Sequence, residues 1–309
     1  MKKSWTAKDI PSQTGRRLLI TGANSGIGFE AALELARQGA EVILPARTQA
    51  KAQDAIIRIL RQVPHANLHP EILDLASLTS VRSFAKRVIE KFPGQSLDLL
   101  INNAGVMALP TREETEDGFE RQFATNYLGP FALTGLLLPS IKAKPGSRVV
   151  TVSSGISKQG KIDFDNLQSE RTYKPMFGAY AQSKLADLIF TQELQRRLTS
   201  AGSPILSTAA HPGYAVTNLQ ADHIGFGLTL MTNVLKPFFS QDAAHGALPT
   251  LYAAVAPDAV AGGYYGPNGI GEMKGFPTAV PLAKGALDSA LAARLWKESE
   301  RLTGVSFAV

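Results

Sequence analysis

The sequence predicts an α/β protein, a doubly wound parallel sheet of about seven strands with helices on both faces. Three observations carry this. From residue 16 onward, short β-rich runs alternate with longer helical patterns, as strand–helix–strand units do. Most of the runs are apolar throughout rather than alternating, as expected for strands covered on both faces. The first run leads straight into a glycine-rich turn and then an amphipathic helix.

The expected strands are Arg17–Thr21, Glu41–Pro45, Asn67–Asp74, Leu97–Asn102, Ser147–Ser153 and Ile205–His211, with a short last one near Gly263–Gly266. Pro70 would interrupt a ladder inside a sheet. The third strand therefore belongs at an edge, in agreement with the order 3-2-1-4-5-6. Pro45 is out of place in the second strand, and no functional reason accounts for it. After the first strand, Phe29, Ala32, Leu33 and Ala36 repeat at helical spacing. Phe119–Leu138, Ala179–Leu198 and Asp242–Ala256 read as longer helices. Leu287, Leu291 and Leu295 mark a last one, ending near Gly304 as a C-cap. Residues 1–14 read as a mobile N-terminal arm, and 15–309 as a single domain without repeats or linkers.

Of 309 residues, 44% are hydrophobic, enough for a substantial core. The chain has no cysteine. That excludes disulfides, thiolate metal sites and a cysteine nucleophile, and it suits a reducing cytoplasm, the expected location. No signal-peptide apolar core follows Met1-Lys2-Lys3, and no run reaches the roughly eighteen apolar residues of a membrane span. Residues 226–239 come nearest, broken by Thr229, Thr232, Asn233, Lys236 and Pro237. The net charge of +6 is scattered, without an aromatic-studded basic stripe, so nucleic acid is not an expected partner. His65 and His69 are flanked by Pro64 and Pro70 and belong to no His-Glu-x-x-His motif. They read as loop and strand histidines, and no metal site is expected.

Two constellations carry chemistry. In Thr21-Gly22-Ala23-Asn24-Ser25-Gly26-Ile27-Gly28, glycines let a pyrophosphate approach the backbone, and the following helix N-terminus offers unpaired N–H groups. The spacing is Gly-x-x-x-Gly-x-Gly, and no Gly-Lys-Ser/Thr of a Walker loop follows. Further on, Tyr180 and Lys184 are four apart in a helical run, which places phenol and ammonium on one face. At about 4 Å and an effective dielectric of about 20, an ammonium stabilises a phenolate by about 4 kcal/mol. That makes a very weak acid into a working one. Pairs of this kind are common on solvated helices, so this one gains meaning from what surrounds it.

What surrounds it resembles the short-chain dehydrogenase/reductase family over residues 16 to about 220. The Thr-Gly-x-x-x-Gly-x-Gly turn is followed in order by Asn102-Asn103-Ala104-Gly105, Asn126, Ser153-Ser154, Tyr180 with Lys184, and His211-Pro212-Gly213 with Thr217. Lys161-Ile162-Asp163-Phe164-Asp165-Asn166-Leu167 and Tyr180-Ala181-Gln182-Ser183-Lys184-Leu185-Ala186 are similar to the retinol-dehydrogenase-like branch. The resemblance implies a Rossmann-type fold and a nicotinamide-dependent oxidoreductase acting on a carbonyl or a primary or secondary alcohol. It implies that Gly22, Asn24, Ser25, Gly26, Ile27 and Gly28 hold the pyrophosphate, that Asp74 and Leu75 contact adenine, and that Asn103, Ala104 and Gly105 wall the adenosine. Pro212, Gly213 and Thr217 would lie by the nicotinamide. An acidic residue ending the second strand would favour NAD(H). Ala46-Arg47-Thr48 stands there instead, and a guanidinium suits a 2′-phosphate. NADP(H) is therefore expected over NAD(H).

By the same resemblance Tyr180 is the acid/base, Lys184 supports it and holds the nicotinamide ribose, and Ser154 polarises the substrate oxygen. Asn126 would hold a water that links the lysine to solvent. Ser153 competes with Ser154, because strand register is not fixed to one residue. A Ser154/His211/Asp hydrolase is disfavoured, since Val152-Ser153-Ser154-Gly155 is no Gly-x-Ser-x-Gly elbow. Residues 220–309 form the region this family varies most, and 226–239 would be a lid, packing or a membrane-surface helix. Val106, Met107, Ile156, Phe177 and Tyr214 are candidate pocket walls, pointing to an apolar small-molecule substrate. Members of the family it resembles are often homodimers or homotetramers, which leaves the oligomeric state open, since the long insert before Tyr180 would alter the usual helix-to-helix interface. The alternative function is a cofactor-binding redox sensor or scaffold without catalysis.

Overall fold

Continuous apolar strands dictate a sheet covered on both sides. In the structure, a computed structural model describing residues 4–214 and 241–308, eight strands form it rather than about seven. They are β1 (Arg17–Ile20), β2 (Glu41–Ala46), β3 (Asn67–Ile72), β4 (Leu99–Asn102), β5 (Arg148–Val152), β6 (Leu206–Ala210), β7 (Tyr264–Pro267) and β8 (Pro277–Ala279). Their order is 3-2-1-4-5-6-7-8, and every neighbouring pair is parallel except β7 with β8. The unforeseen β8 has three residues, begins with a proline and is half to fully exposed. It carries no apolar run by which a sequence could announce it.

The helices are α1 (Gly26–Arg37), α2 (Gln49–Leu60), α3 (Leu78–Lys91), α4 (Arg121–Phe123), α5 (Gly129–Leu137), α6 (Ala181–Ser200), α7 (Ala243–Val255) and α8 (Ser289–Thr303). Alternate strand residues serve opposite faces. Leu18, Ile20, Val42 and Leu44 pack with α1, α2 and α7. Leu19, Ile43, Leu100 and Val149 pack with α3, α5, α6 and α8. Residues 4–14 are not the loose arm expected. Ile10 is buried with the first of these groups, and Trp5 meets Tyr252 edge-on at 5.3 Å.

β3 lies at the sheet edge, where Pro70 is tolerated. Pro45 is explained as well. Ala46 O accepts from Leu73 N, so Ala46 faces β3 and Pro45 faces the other way, towards β1. Pairing with β1 ends at Leu19 with Ile43, and the missing N–H interrupts nothing there. The expected helix 119–138 is broken by a π-turn, Ala124–Leu128, and another π-turn, Pro175–Tyr180, precedes α6. Such turns insert one residue into a helix, favour functional sites and leave no mark on hydrophobic spacing. Leu287 lies exposed in a turn before α8 rather than on it. Gly304 caps α8 as expected, left-handed at φ 61°, its N–H donating to Glu300 O. Among the described residues no helix is long and apolar enough to cross a membrane. Residues 226–239 lie outside the described residues.

Candidate active site

The C-terminal ends of parallel strands gather along one edge of the sheet, and the predicted site residues follow those ends. After β1, Gly22 has φ 69° and Gly26 φ 57°. A Cβ on Gly28 would stand 2.3 Å from Asn103 Nδ2 and 2.5 Å from Gly22 O. Only glycine closes the turn this tightly. Asn103 holds it from the β4 end. Its Nδ2 donates to Thr21 O at 2.9 Å, while Thr21 Oγ1 accepts from the N–H groups of Asn103 and Ala104. Asn103 thus shapes the turn as much as it walls it.

Most long helices here cap themselves: Thr48, Ser77, Asp242 and Asp288 each accept an N–H at the start of α2, α3, α7 and α8. Ser25, at the start of α1, makes no side-chain cap. No side-chain cap therefore occupies the first-turn N–H groups there, as binding of a pyrophosphate at them requires. Glycines where a Cβ would clash and an uncapped helix together fit a dinucleotide. Ile27, beside Gly28, is half-buried.

Arg47 is exposed at the end of β2. Thr48 has its hydroxyl on Lys51 N at 3.3 Å, as the α2 cap. A second cation, missed from the sequence, stands at the turn. Arg58 of α2 donates to Asn24 O, pairs with Asp54 at 2.9 Å and lies 4.3 Å over the Phe29 ring. It is far from Asn24 in the chain, and no local spacing could reveal it. Asp74 Oδ1 accepts from Ala76 N, and Leu75 is buried against Gly129 of α5.

The acid/base groups sit past β5 and at the head of α6. Tyr180 is 8% exposed and ends a π-turn; Lys184, one turn on, is 5% exposed. Lys184 Nζ donates to Val152 O and to Asp187 Oδ2, each at 2.9 Å. Burial opposes the ammonium, but Asp187 and Tyr180 outweigh it and the lysine pKa rises above its ordinary value. Asp187 went unnoticed in the sequence, although a spacing of three on a helix places it beside Lys184. The two serines are distinguished here. Ser153 is buried with its hydroxyl donating to Lys184 O at 2.7 Å, whereas Ser154 is half-buried and its hydroxyl, among the described residues, meets only Ile156 N at 3.5 Å. Asn126 accepts from Val106 N at 2.7 Å and donates to Val106 O and Ser183 Oγ at 2.9 Å. Its amide is thus spent on neighbouring backbone and a serine. A Cβ on Gly105 would lie 3.1 Å from Asn126 Oδ1 and 3.7 Å from Lys184 Nζ, so the three meet. Val106, Met107, Ile156 and Tyr214 are half-buried, and Phe177 is exposed.

Past β6, His211 Nδ1 accepts from Gly213 N and Nε2 faces Glu272 Oε2 at 3.0 Å. Pro212 O accepts from Gln241, and Gly213, at φ 65°, leaves no room for a Cβ beneath Met273 O. Thr217 lies outside the described residues. Burial holds His211 neutral, lowering its pKa from 6.5 to about 4. Between those values the unfolded chain binds a proton that the folded chain refuses. The stability present above pH 6.5 is therefore lost as pH falls towards 4, about 3 kcal/mol in all. Melting temperatures of the wild type and His211→Gln are expected to converge from pH 7.5 to 4.5; a constant gap would exclude this.

The comparisons agree with this geometry. The short chain dehydrogenase family model matches residues 16–224. Human retinol dehydrogenase 13 is 42% identical over 297 residues, covering 94% of this chain and 85% of that protein. Mouse polyprenol dehydrogenase is 41% identical over 300 residues, covering 96% and 86%. A crystal structure of an uncharacterized protein from Mycobacterium paratuberculosis has 41% identity and a TM-score of 0.81, over 99% of this chain and 100% of that one. With the sheet order, the glycine turn and the Tyr180–Lys184 helix in place, the chain belongs to the short-chain dehydrogenase family, in its retinol-dehydrogenase-like branch, and is an oxidoreductase acting on CH–OH and C=O groups.

Proposed function

We propose that this enzyme is an NADP(H)-dependent carbonyl reductase for apolar aldehydes or ketones and the corresponding alcohols, of the kind its retinol and polyprenol dehydrogenase relatives are named for. The observation that supports the reading is Lys184, one turn after Tyr180, donating to Val152 O at the end of β5, two residues before Ser154, together with an uncapped glycine-rich helix start. In reduction Tyr180 gives its proton to the carbonyl oxygen, and Ser154 donates a hydrogen bond to the same oxygen as negative charge develops there. Lys184 has three donors, two of them used on Val152 and Asp187; the third is left for the cofactor ribose, and the ammonium acts on Tyr180 through its charge. Asn126 acts by holding Val106 and Ser183 rather than by touching substrate. When bound, the nicotinamide supplies the hydride or takes it back.

Arg47 and Arg58 support NADP(H) over NAD(H), since both bring positive charge to the adenosine side. Arg47→Ala is expected to raise the Kd for NADPH about tenfold or more, as for one lost charge-assisted contact, with little change for NADH. Equal losses, read by quenching of protein fluorescence, would refute the phosphate contact. The broader test is oxidation of NADPH and NADH against a panel of apolar aldehydes and ketones. Turnover with NADPH is expected. Tight cofactor binding with no turnover on any carbonyl would favour a sensor instead.

A further inference from the structure

Among the buried ionisable groups that this mechanism does not use, Asp187 lies next to Lys184. Asp187 is 1% exposed, and among the described residues its Oδ1 has no hydrogen-bond partner. Its other oxygen meets Lys184 Nζ at 2.9 Å. Among the described residues, the lysine alone holds the carboxylate in the core. A buried charge is costly unless paired, and this one sits directly behind the acid/base centre.

We propose that Asp187 is a positioning residue that raises the proton affinity of the Tyr180–Lys184 pair, keeping the pair protonated to higher pH and favouring proton donation to a carbonyl over abstraction from an alcohol. This rests on the reading of Tyr180 as the acid. The sign follows from charge alone. A nearby negative charge makes every neighbouring group hold its proton more tightly, whichever member of the pair carries it. Geometry adds to this: with Val152 O and Asp187 Oδ2 both accepting from Nζ, the ammonium is fixed in one place.

The other titratable groups that feel Asp187 do not blur the effect. Among the described residues they are Tyr127 from the π-turn before α5 and Tyr264 from β7. Burial raises both phenols far above their ordinary range, so neither changes charge where the enzyme works. The further partners of these groups are neutral: Ser299 of α8 is bonded to Tyr127 Oη, and the Val152 carbonyl of β5 accepts from Lys184. Burial pushes the Asp187 carboxyl up to about 7 against the pull of Lys184. In alkaline solution it is a carboxylate, which is where the pair would otherwise lose its proton.

Two measurements on the full chain test this. In the cofactor-free protein labelled with 13Cε-lysine, the Lys184 signal is assigned by its loss in Lys184→Arg and titrated by NMR. Asp187→Asn is expected to move its midpoint down by about one pH unit or more, and an unmoved midpoint overturns the proposal. In NADPH-dependent reduction of decanal, the alkaline limb of kcat/KM should move down with it. Asp187→Glu, which keeps the charge, should restore the limb. An NMR shift with an unmoved limb overturns the proposal, because the charge would then not reach the reaction. If the wild type reduces no carbonyl, the functional reading fails, while the NMR titration still decides whether Asp187 sets proton affinity. Should Asp187→Asn not fold, Asp187→Ser, smaller and neutral, is titrated in the same way.

Discussion

Tyr180→Phe is expected to lower kcat/KM for carbonyl reduction by about 10²- to 10⁴-fold, the usual worth of a positioned proton donor. NADPH binding should stay nearly unchanged. The substitution removes one oxygen and keeps the ring, which is 8% exposed and seated at the end of the π-turn before α6. Lys184 keeps its bonds to Val152 O and Asp187, so the cofactor side of the site is preserved. Any loss therefore reads the proton and not the fold. Steady-state kinetics with NADPH, together with cofactor titration, separate the two. A variant with full residual activity would sink the mechanism.

Trp296→Ala is expected to cost about 3–5 kcal/mol of stability, as truncating a buried aromatic does. Trp296 is 2% exposed on α8. Its ring lies 5.1 Å from Phe131 of α5, 5.8 Å from Phe190 of α6 and 4.5 Å from Phe307, with the Arg197 guanidinium 4.2 Å over it. The four aromatic rings fasten the C-terminal helix over α5 and α6, and α6 is the helix that carries Lys184. Truncation leaves a void that three other rings, from separate elements, cannot fill together. Urea unfolding measures the loss; a cost below about 1 kcal/mol would show that the cluster collapses into the space.

Much of the fold was legible because its causes are local. Strands buried on both faces must be apolar throughout, and Pro70 could be tolerated only at an edge, where β3 lies. The site was legible in part. Ser153 and Ser154 are adjacent, and only the path of the chain past β5 turns one hydroxyl onto Lys184 O and leaves the other half-buried. Arg58 reaches Asn24 across the first two helices, a contact with no trace in spacing. The π-turns at Asn126 and Tyr180 shift each residue relative to its helix, and periodicity averages over such single insertions.

The alternation of strands and helices, the glycine turn and the Tyr180–Lys184 face are all written in local spacing. Each follows from backbone geometry within a few residues, where pitch and pleat are constant. Tertiary structure alone decided that residues 4–14 pack down, that β8 extends the sheet, and that Asp187 is sealed behind the lysine. Spacing shows which groups are neighbours on a helix. Burial, which depends on what other elements bring from far along the chain, decides whether water screens them.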